Sequence, residues 1–268
     1  MRPGKIEIVA PENKTLWKYF DLHRFIYFLN EKKLFFTRLD KFEDPFEGVA
    51  TRLLRRDAKY SKIPDNLENF PEKIPKNVRK KLLNEKKLHN YVIEQDINIA
   101  QKRQYINCWF SGDRESMAMW NLYSNTDSVA LKIKFDLLDN YLQTAFRGFI
   151  KEIGNRASII SDSVKYLRLN PFDEKLPTQS VKYSSLKKDV SFEYEKEYRF
   201  LIYTIDNLDK IEQFYSIPIN IDKLQLTVIT HPNMEDWKFK NIERLIELSK
   251  SNVTLEKSST LLRGKNYG

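Results

Sequence analysis

Three glutamates and an arginine fall at alternate positions in residues 189–203, DVSFEYEKEYRFLIY: Glu193, Glu195, Glu197 and Arg199. Read at a strand's period of two, they share one face, while Phe192, Tyr194, Tyr198, Phe200 and Ile202 take the other with only Lys196 interrupting. Carboxylates in that row stand roughly 7 Å apart, close enough to raise one another's pKa unless cations or water intervene. Such a row is either a solvated sheet face or a site where carboxylates do acid–base or electrostatic work beside a cation that can clamp a phosphate.

Two further constellations carry polar chemistry. In Asp44-Pro45-Phe46-Glu47-Gly48 a proline fixes a turn between acidic side chains and a glycine releases the chain. Ser111 is followed by Met119, Trp120 and Tyr123, the last two spaced to share one helix face, where they would pack a core or stack a flat ring. A nuclease reading would gather Asp44, Glu47 and Glu195 around Mg²⁺, since hard cations take carboxylate oxygens. No Glu-x-Lys follows a proline–aspartate pair at the spacing of a restriction-type core, and we expect no resident metal.

The elements that must position these residues read as follows. Strands are expected at KTLWKYF (14–20) and LFFTRL (34–39), around a helix capped by Asp21 with Phe25, Phe28 and Leu29 on its inner face. QYINCWFS (104–111) reads as a strand, ESMAMWNLYS as a short helix and SVALKIKF as a half-buried strand. Residues 137–169 read as mostly helical, SVKYSS as a short strand before the glutamate strand, and the tail as strand, strand, helix over 237–250 and a last strand. Mixed order without regular βαβ alternation gives an α+β class: one domain over 1–268, with a largely antiparallel, split sheet flanked by helices. Residues 51–104, broken by Pro64, Pro71 and Pro75, read as a helical insertion.

Composition narrows the chemistry. The chain has 268 residues, 41% of them hydrophobic, enough for a core, and a formal net charge of +9. Fourteen Lys and Arg stand against seven Asp and Glu between Arg52 and Arg103, a block suited to nucleic acid or to the wet side of helices. The seven glycines form no Walker loop or dinucleotide fingerprint, the three histidines lack HExxH spacing, and no GxSxG elbow occurs. Cys108 is the only cysteine, which rules out an internal disulfide and reads as a small buried residue. No apolar run suits a membrane span or a signal peptide, so a cytoplasmic location is expected.

The three constellations, taken in chain order, resemble a family of bacterial proteins known as domain of unknown function 2971. The resemblance lies in Leu16, Lys18 and Tyr19, then residues 34–36 and 44–47, then Cys108, Ser111, Met119, Trp120 and Tyr123, then residues 194–199. The chain departs from that pattern at Thr37 for serine, Glu43 for asparagine, Tyr198 for tryptophan and Ser128 for glycine. The layout is also similar to that of ADP-ribosyltransferases, which split NAD between nicotinamide and ribose in a cleft of a split antiparallel sheet and need no glycine-rich loop. That resemblance implies NAD as a substrate and Glu195 or Glu197 stabilising a ribosyl cation, with Arg199 beside them. It places NAD contacts at Lys18, Tyr19, Thr37, Asp44, Glu47, Ser111, Trp120 and Tyr123, of which Tyr19, Trp120 and Tyr123 would hold nicotinamide. A role in phage defence or as a toxin is the biological setting it suggests, and a non-catalytic nucleic-acid or partner-binding module is the alternative.

Overall fold

The computed structural model describes residues 6–12, 14–44, 47–51, 53–54, 75–152, 156–169, 183–205 and 212–260. The first hairpin-like unit follows the expected pattern. Strand β2 (Thr15–Phe20) leads into α1 (Leu22–Glu31), where the Asp21 carboxylate caps the helix by accepting from the Arg24 amide at 2.8 Å. Phe25, Phe28 and Leu29 are buried, and Lys32 in the left-handed region turns the chain into β3 (Lys33–Arg38). Strand β1 (Ile6–Ile8), at the N-terminal side, was not anticipated.

Helix α2 (Lys76–Lys102) is the main described part of the basic insertion; residues 55–74 lie outside the described region. After it come β4 (Gln104–Ser111), α3 (Met117–Tyr123), β5 (Val129–Lys134) and α4 (Phe135–Glu152). The helical reading of 137–169 holds only to Glu152: β6 (Ala157–Ser163) and β7 (Lys165–Leu167) follow. Both faces of β6 are covered, so Ser158 and Ser161 are buried beside Ile159 and Ile160 and the strand shows no alternation to read. Of the strand expected at SVKYSS, residues 180–182 are not described and Ser184–Leu186 form a 3₁₀ turn. Strands β8 (Lys187–Asp189), β9 (Glu197–Thr204), β10 (Phe214–Pro218) and β11 (Thr227–Thr230), helix α5 (Asp236–Ser249) and β12 (Thr254–Lys257) complete the chain.

Ten strands form one sheet among the described residues, running β1-β6-β9-β4-β2-β5-β11-β12, with β3 and β10 branching from β4. Most pairs are antiparallel; β1 with β6 and β11 with β12 are parallel. This is the α+β, split antiparallel architecture that the sequence suggested. The split is at β4, whose last residues pair with β2 (Leu16 opposite Ser111, Trp17 opposite Phe110) while its first pair with β3 (Thr37 opposite Ile106, Arg38 opposite Tyr105). Two strands thus leave the same edge of β4, and its middle, Asn107 to Trp109, has no strand partner on that side among the described residues.

One face of the sheet carries the main core. Leu16, Phe20, Tyr105, Trp109, Leu131, Ile159, Tyr198, Phe200 and Ile202 meet side chains of α1, α4 and α5 there. The other face holds two smaller clusters, Trp17 with Phe110, Trp120, Ala130 and Ile229, and Leu39 with Ile106, Ile160, Leu186 and Leu201. The charged residues described next lie on that second face.

Candidate active site

The glutamate row is not one strand. Val190–Glu195 is a 3₁₀ helix, capped by the Asp189 carboxylate on the Ser191 amide, and Lys196 takes a left-handed conformation (φ 40°, ψ 48°) before β9 begins at Glu197. The turn reverses the expected inward face: Phe192 is half-buried and Tyr194 exposed, while Glu195 and Glu197 are buried. Glu193 stays in solvent. From Glu197 onward the alternation is real, with Tyr198, Phe200 and Ile202 in the main core and Arg199 opposite Cys108 on the other face. The Ser111 amide donates to the Lys196 carbonyl at 3.0 Å, tying the end of β4 to the turn.

Buried charge there is closely paired. Arg199, with no exposed surface, donates through Nε and Nη2 to both oxygens of Glu197 (2.5 and 3.0 Å) and through Nη1 to Glu47 (2.6 Å) and the Ser185 carbonyl (2.8 Å). Glu47 comes from the far end of the Asp-Pro-Phe-Glu-Gly turn, so two of the three sequence constellations meet on one guanidinium. Lys188 bridges Glu195 and Glu197. Burial alone would raise the Glu197 carboxyl; Arg199 and Lys188 outweigh it and hold that acid well below its ordinary value. Glu195 goes the other way: burial, then the adjacent Glu197, push it up to about 7 against the pull of Lys188 and Tyr123. A buried ionised acid thus sits beside one poised near neutrality, the arrangement that acid–base chemistry requires.

The third constellation meets the same carboxyl. Tyr123, half-exposed at the end of α3, donates its hydroxyl to Glu195 Oε1, and Tyr194 stands 3.5 Å from that hydroxyl. Trp120 does not join them as a ring platform. It is fully enclosed, edge-on to Tyr19 (ring centroids 4.8 Å apart, 87° between planes), with its Nε1 donating to Glu115. Tyr19 accepts from the Ser116 amide at 2.8 Å, which places both rings in the wall. Of the three aromatics expected to hold nicotinamide, only Tyr123 is open. Arg199, enclosed by its partners, positions Glu197 and does not reach outward as a phosphate clamp. Asp44 accepts from the Glu47 amide through its carbonyl and shapes the turn.

Lys18 and Thr37 belong to a different region, the cleft where β2 and β3 part. Side chains satisfy backbone carbonyls that the split leaves open: Lys18 Nζ donates to the Cys108 carbonyl of β4 at 2.8 Å, and Asn107 Nδ2 donates to the Phe35 carbonyl of β3 at 2.7 Å. Burial lowers the Lys18 ammonium to about 8; Arg24 lowers it further, and Glu197 across β4 raises it. The cleft has a volume of about 490 Å³, and its wall carries Lys18, His23, Arg24 and Lys33 with the rings of Phe20, Tyr27 and Phe35, but no carboxylate. Cations interleaved with rings suit a phosphate-bearing aromatic ligand. His23, Arg24 and Lys33 were not singled out in the sequence, because only the parting of β2 from β3 brings them together.

Among the described residues no group of three or more His, Cys, Asp or Glu is placed to hold a metal ion. The carboxylates of the nuclease reading face different cations instead, Glu47 toward Arg199 and Glu195 toward Lys188. No described helix is long and apolar enough to cross a membrane. Cys108 is partly buried, and burial pushes its thiol up. On α2, Lys76, Lys80, Lys81 and Lys87 are exposed, as are Leu88 and Tyr91, whereas Lys86 is buried.

No family model matches the chain, and no curated protein matches it. Among solved structures, Thermus sp. 2.9 DarT in complex with NAD⁺ aligns over 92% of this chain and 98% of its own, at 8% identity and a TM-score of 0.32.

Proposed function

We propose that this chain is an ADP-ribosyltransferase that takes NAD as its substrate. The observation that supports it is the basic, ring-lined cleft at the split of an antiparallel sheet, with the acidic pair Glu195 and Glu197 at the turn that opens β9, the strand on the other edge of β4. Lys18, with Arg24 and Lys33, would take the pyrophosphate, and Phe20, Tyr27 or Phe35 a base. The Tyr123 hydroxyl on Glu195 is the contact that a ribose hydroxyl would make, so the half-exposed phenol stands where substrate would bind. In the reaction the bond between C1′ and the nicotinamide nitrogen breaks with its electron pair leaving on nicotinamide. The acceptor's oxygen or nitrogen then bonds to C1′ and gives up its proton. An ionised carboxylate lowers the energy of the ribosyl cation between these events, and Glu195, poised near neutrality, is suited to receive the proton.

The test is release of nicotinamide from labelled NAD, with nucleic-acid and protein acceptors. Glu195→Gln should slow turnover by about 10² to 10³ with little change in unfolding temperature. No turnover by the parent chain with any acceptor would remove the enzyme reading, and Mg²⁺-dependent cleavage indifferent to NAD would replace it with the nuclease. A second reading, polyanion binding, is favoured by the exposed lysines of α2. Its mark is affinity for duplex DNA whose log–log salt slope is about −0.9 per phosphate neutralised and which is lost in Lys80→Gln/Lys81→Gln/Lys87→Gln. A phage-defence or toxin role would follow only from an acceptor essential to a cell.

A further inference from the structure

The short helix that carries Tyr123 is held at its other end by the tail of the chain. Glu115 lies just before the Ser116 cap of α3 and is buried. Its Oε2 accepts from Trp120 Nε1 (2.8 Å) and Ser258 Oγ (2.6 Å), and its Oε1 from the Ser259 amide (2.8 Å) and hydroxyl (3.2 Å). Ser258 and Ser259 follow β12, more than a hundred residues from Glu115 in the chain. One carboxylate therefore joins three things: the segment after the last strand, the start of α3, and the tryptophan at its middle.

Seven residues of helix are too few to hold a shape unaided, so the placement of α3 depends on its anchors. These are Glu115, the packing of Trp120 against Trp17 and Phe110, and the Ser116 amide on Tyr19. Trp120 and Tyr123 are three residues apart and neighbours on the helix surface. A shift of the indole is thus carried one turn along to the phenol that sits on Glu195.

We propose that Glu115 and the 258–260 segment form a clasp that positions Tyr123 against the Glu195 carboxyl. Glu115 is a positioning residue: it acts through Trp120 and α3. The inference rests on the transferase reading only for its consequence in turnover. The groups that face Glu195 are Lys188 of β8, Glu197 of β9, Tyr166 of β7 and Tyr123 of α3, and of these only Tyr123 is reached by the clasp.

The experiment follows the Glu195 side-chain carboxyl by ¹³C NMR through a pH titration of the full chain without NAD, with Glu195→Gln to assign the signal. Two variants open the clasp: Glu115→Gln, and Ser258→Ala with Ser259→Ala, which removes two hydroxyl contacts and leaves the Trp120 bond should the first variant fail to fold. Each should move the Glu195 midpoint by about half a pH unit or more, a threefold change in acid constant. The same changes made in a Tyr123→Phe background should leave it where Tyr123→Phe alone puts it. A midpoint that stays fixed in folded clasp variants overturns the proposal. So does one that moves equally with and without the Tyr123 hydroxyl. Because no NAD is present, coupling found in a protein without turnover would refute the transferase and leave the clasp standing, and the reverse result would do the opposite.

Discussion

The cleft between β2 and β3 and the charged knot at the start of β9 lie on either side of one strand, and they manage charge in opposite ways. In the knot the buried acids meet cations: Arg199 is shared by Glu197 and Glu47, and Lys188 by Glu197 and Glu195. In the cleft Arg24 and Lys33 meet only the solvent-exposed carboxylates of Asp21 and Glu31, and Lys18 gives its ammonium to a neutral carbonyl. A closed, saturated network holds positions; an open, unsaturated one has donors left for a ligand. The difference separates the residues whose loss should damage the fold from those whose loss should damage binding.

The largest expected effect follows from that division. Arg199→Met leaves Glu47 buried without its guanidinium and Glu197 with Lys188 alone, and should cost about 3 to 5 kcal/mol of stability, measured by urea unfolding. Phe200→Ala, in the core on the opposite face of β9, should cost a similar amount through cavity formation, about 3 to 5 kcal/mol. A loss under about 1 kcal/mol for Arg199→Met would mean that water reaches the carboxylates and that the knot is not closed.

Lys18→Met makes the contrasting case. Removing an ammonium whose ionisation burial already opposes should change stability by less than about 1 kcal/mol, since its partner is one neutral carbonyl. If the cleft takes NAD, titration calorimetry should show affinity falling about 10- to 100-fold, as for one charged hydrogen bond. Lost stability with intact affinity would reverse the assignment of the two regions.

Glu195 marks the border between them, and pH exposes it. Its folded-state pKa, about 7, lies above the ordinary glutamate value of 4.5. Between those values the folded chain keeps a proton that the unfolded chain has lost, so this contribution to stability is complete below about pH 4.5 and fades as pH rises to about 7. Relative to Glu195→Gln, which cannot titrate, the parent should lose at most about 1.4 kcal/mol per pH unit across that window. Glu197, held down by Arg199, acts oppositely: its contribution is complete above the ordinary glutamate range and is lost progressively as pH falls from there to its low folded pKa. A parent that gains stability relative to Glu195→Gln as pH rises from 5 to 7 would show that Glu195 is ionised throughout.

Much of the framework was legible because it is amphipathic. Asp21 with Phe25, Phe28 and Leu29 announced α1, and Val129, Leu131 and Ile133 announced β5. Strand β6 was hidden because both its faces are buried, and its serines read as turn or helix surface. In the site, the meeting of Glu47 with residues 195–199 was suggested by their polarity, but the cleft was not, since His23, Arg24 and Lys33 acquire a common purpose only when two strands leave one edge of β4. The glutamate row misled for a subtler reason. A 3₁₀ turn followed by one left-handed residue keeps Glu195 and Glu197 both inward, as a strand would, while turning Phe192 and Tyr194 away from the core.

That left-handed residue gives the finest test of how the two regions are joined. Lys196 has no glycine's freedom, yet sits at φ 40°, and its carbonyl holds the Ser111 amide at the end of β4. Lys196→Gly removes the steric penalty of that conformation but enlarges the freedom of the unfolded chain, so the net change should be small, a gain of up to about 1 kcal/mol. Lys196→Val, whose branched side chain resists positive φ, should lose about 1 to 3 kcal/mol. If the residue instead relaxes into a continuous strand in solution, valine would be tolerated or favoured over glycine, and thermal unfolding of the two variants would rank them in the opposite order.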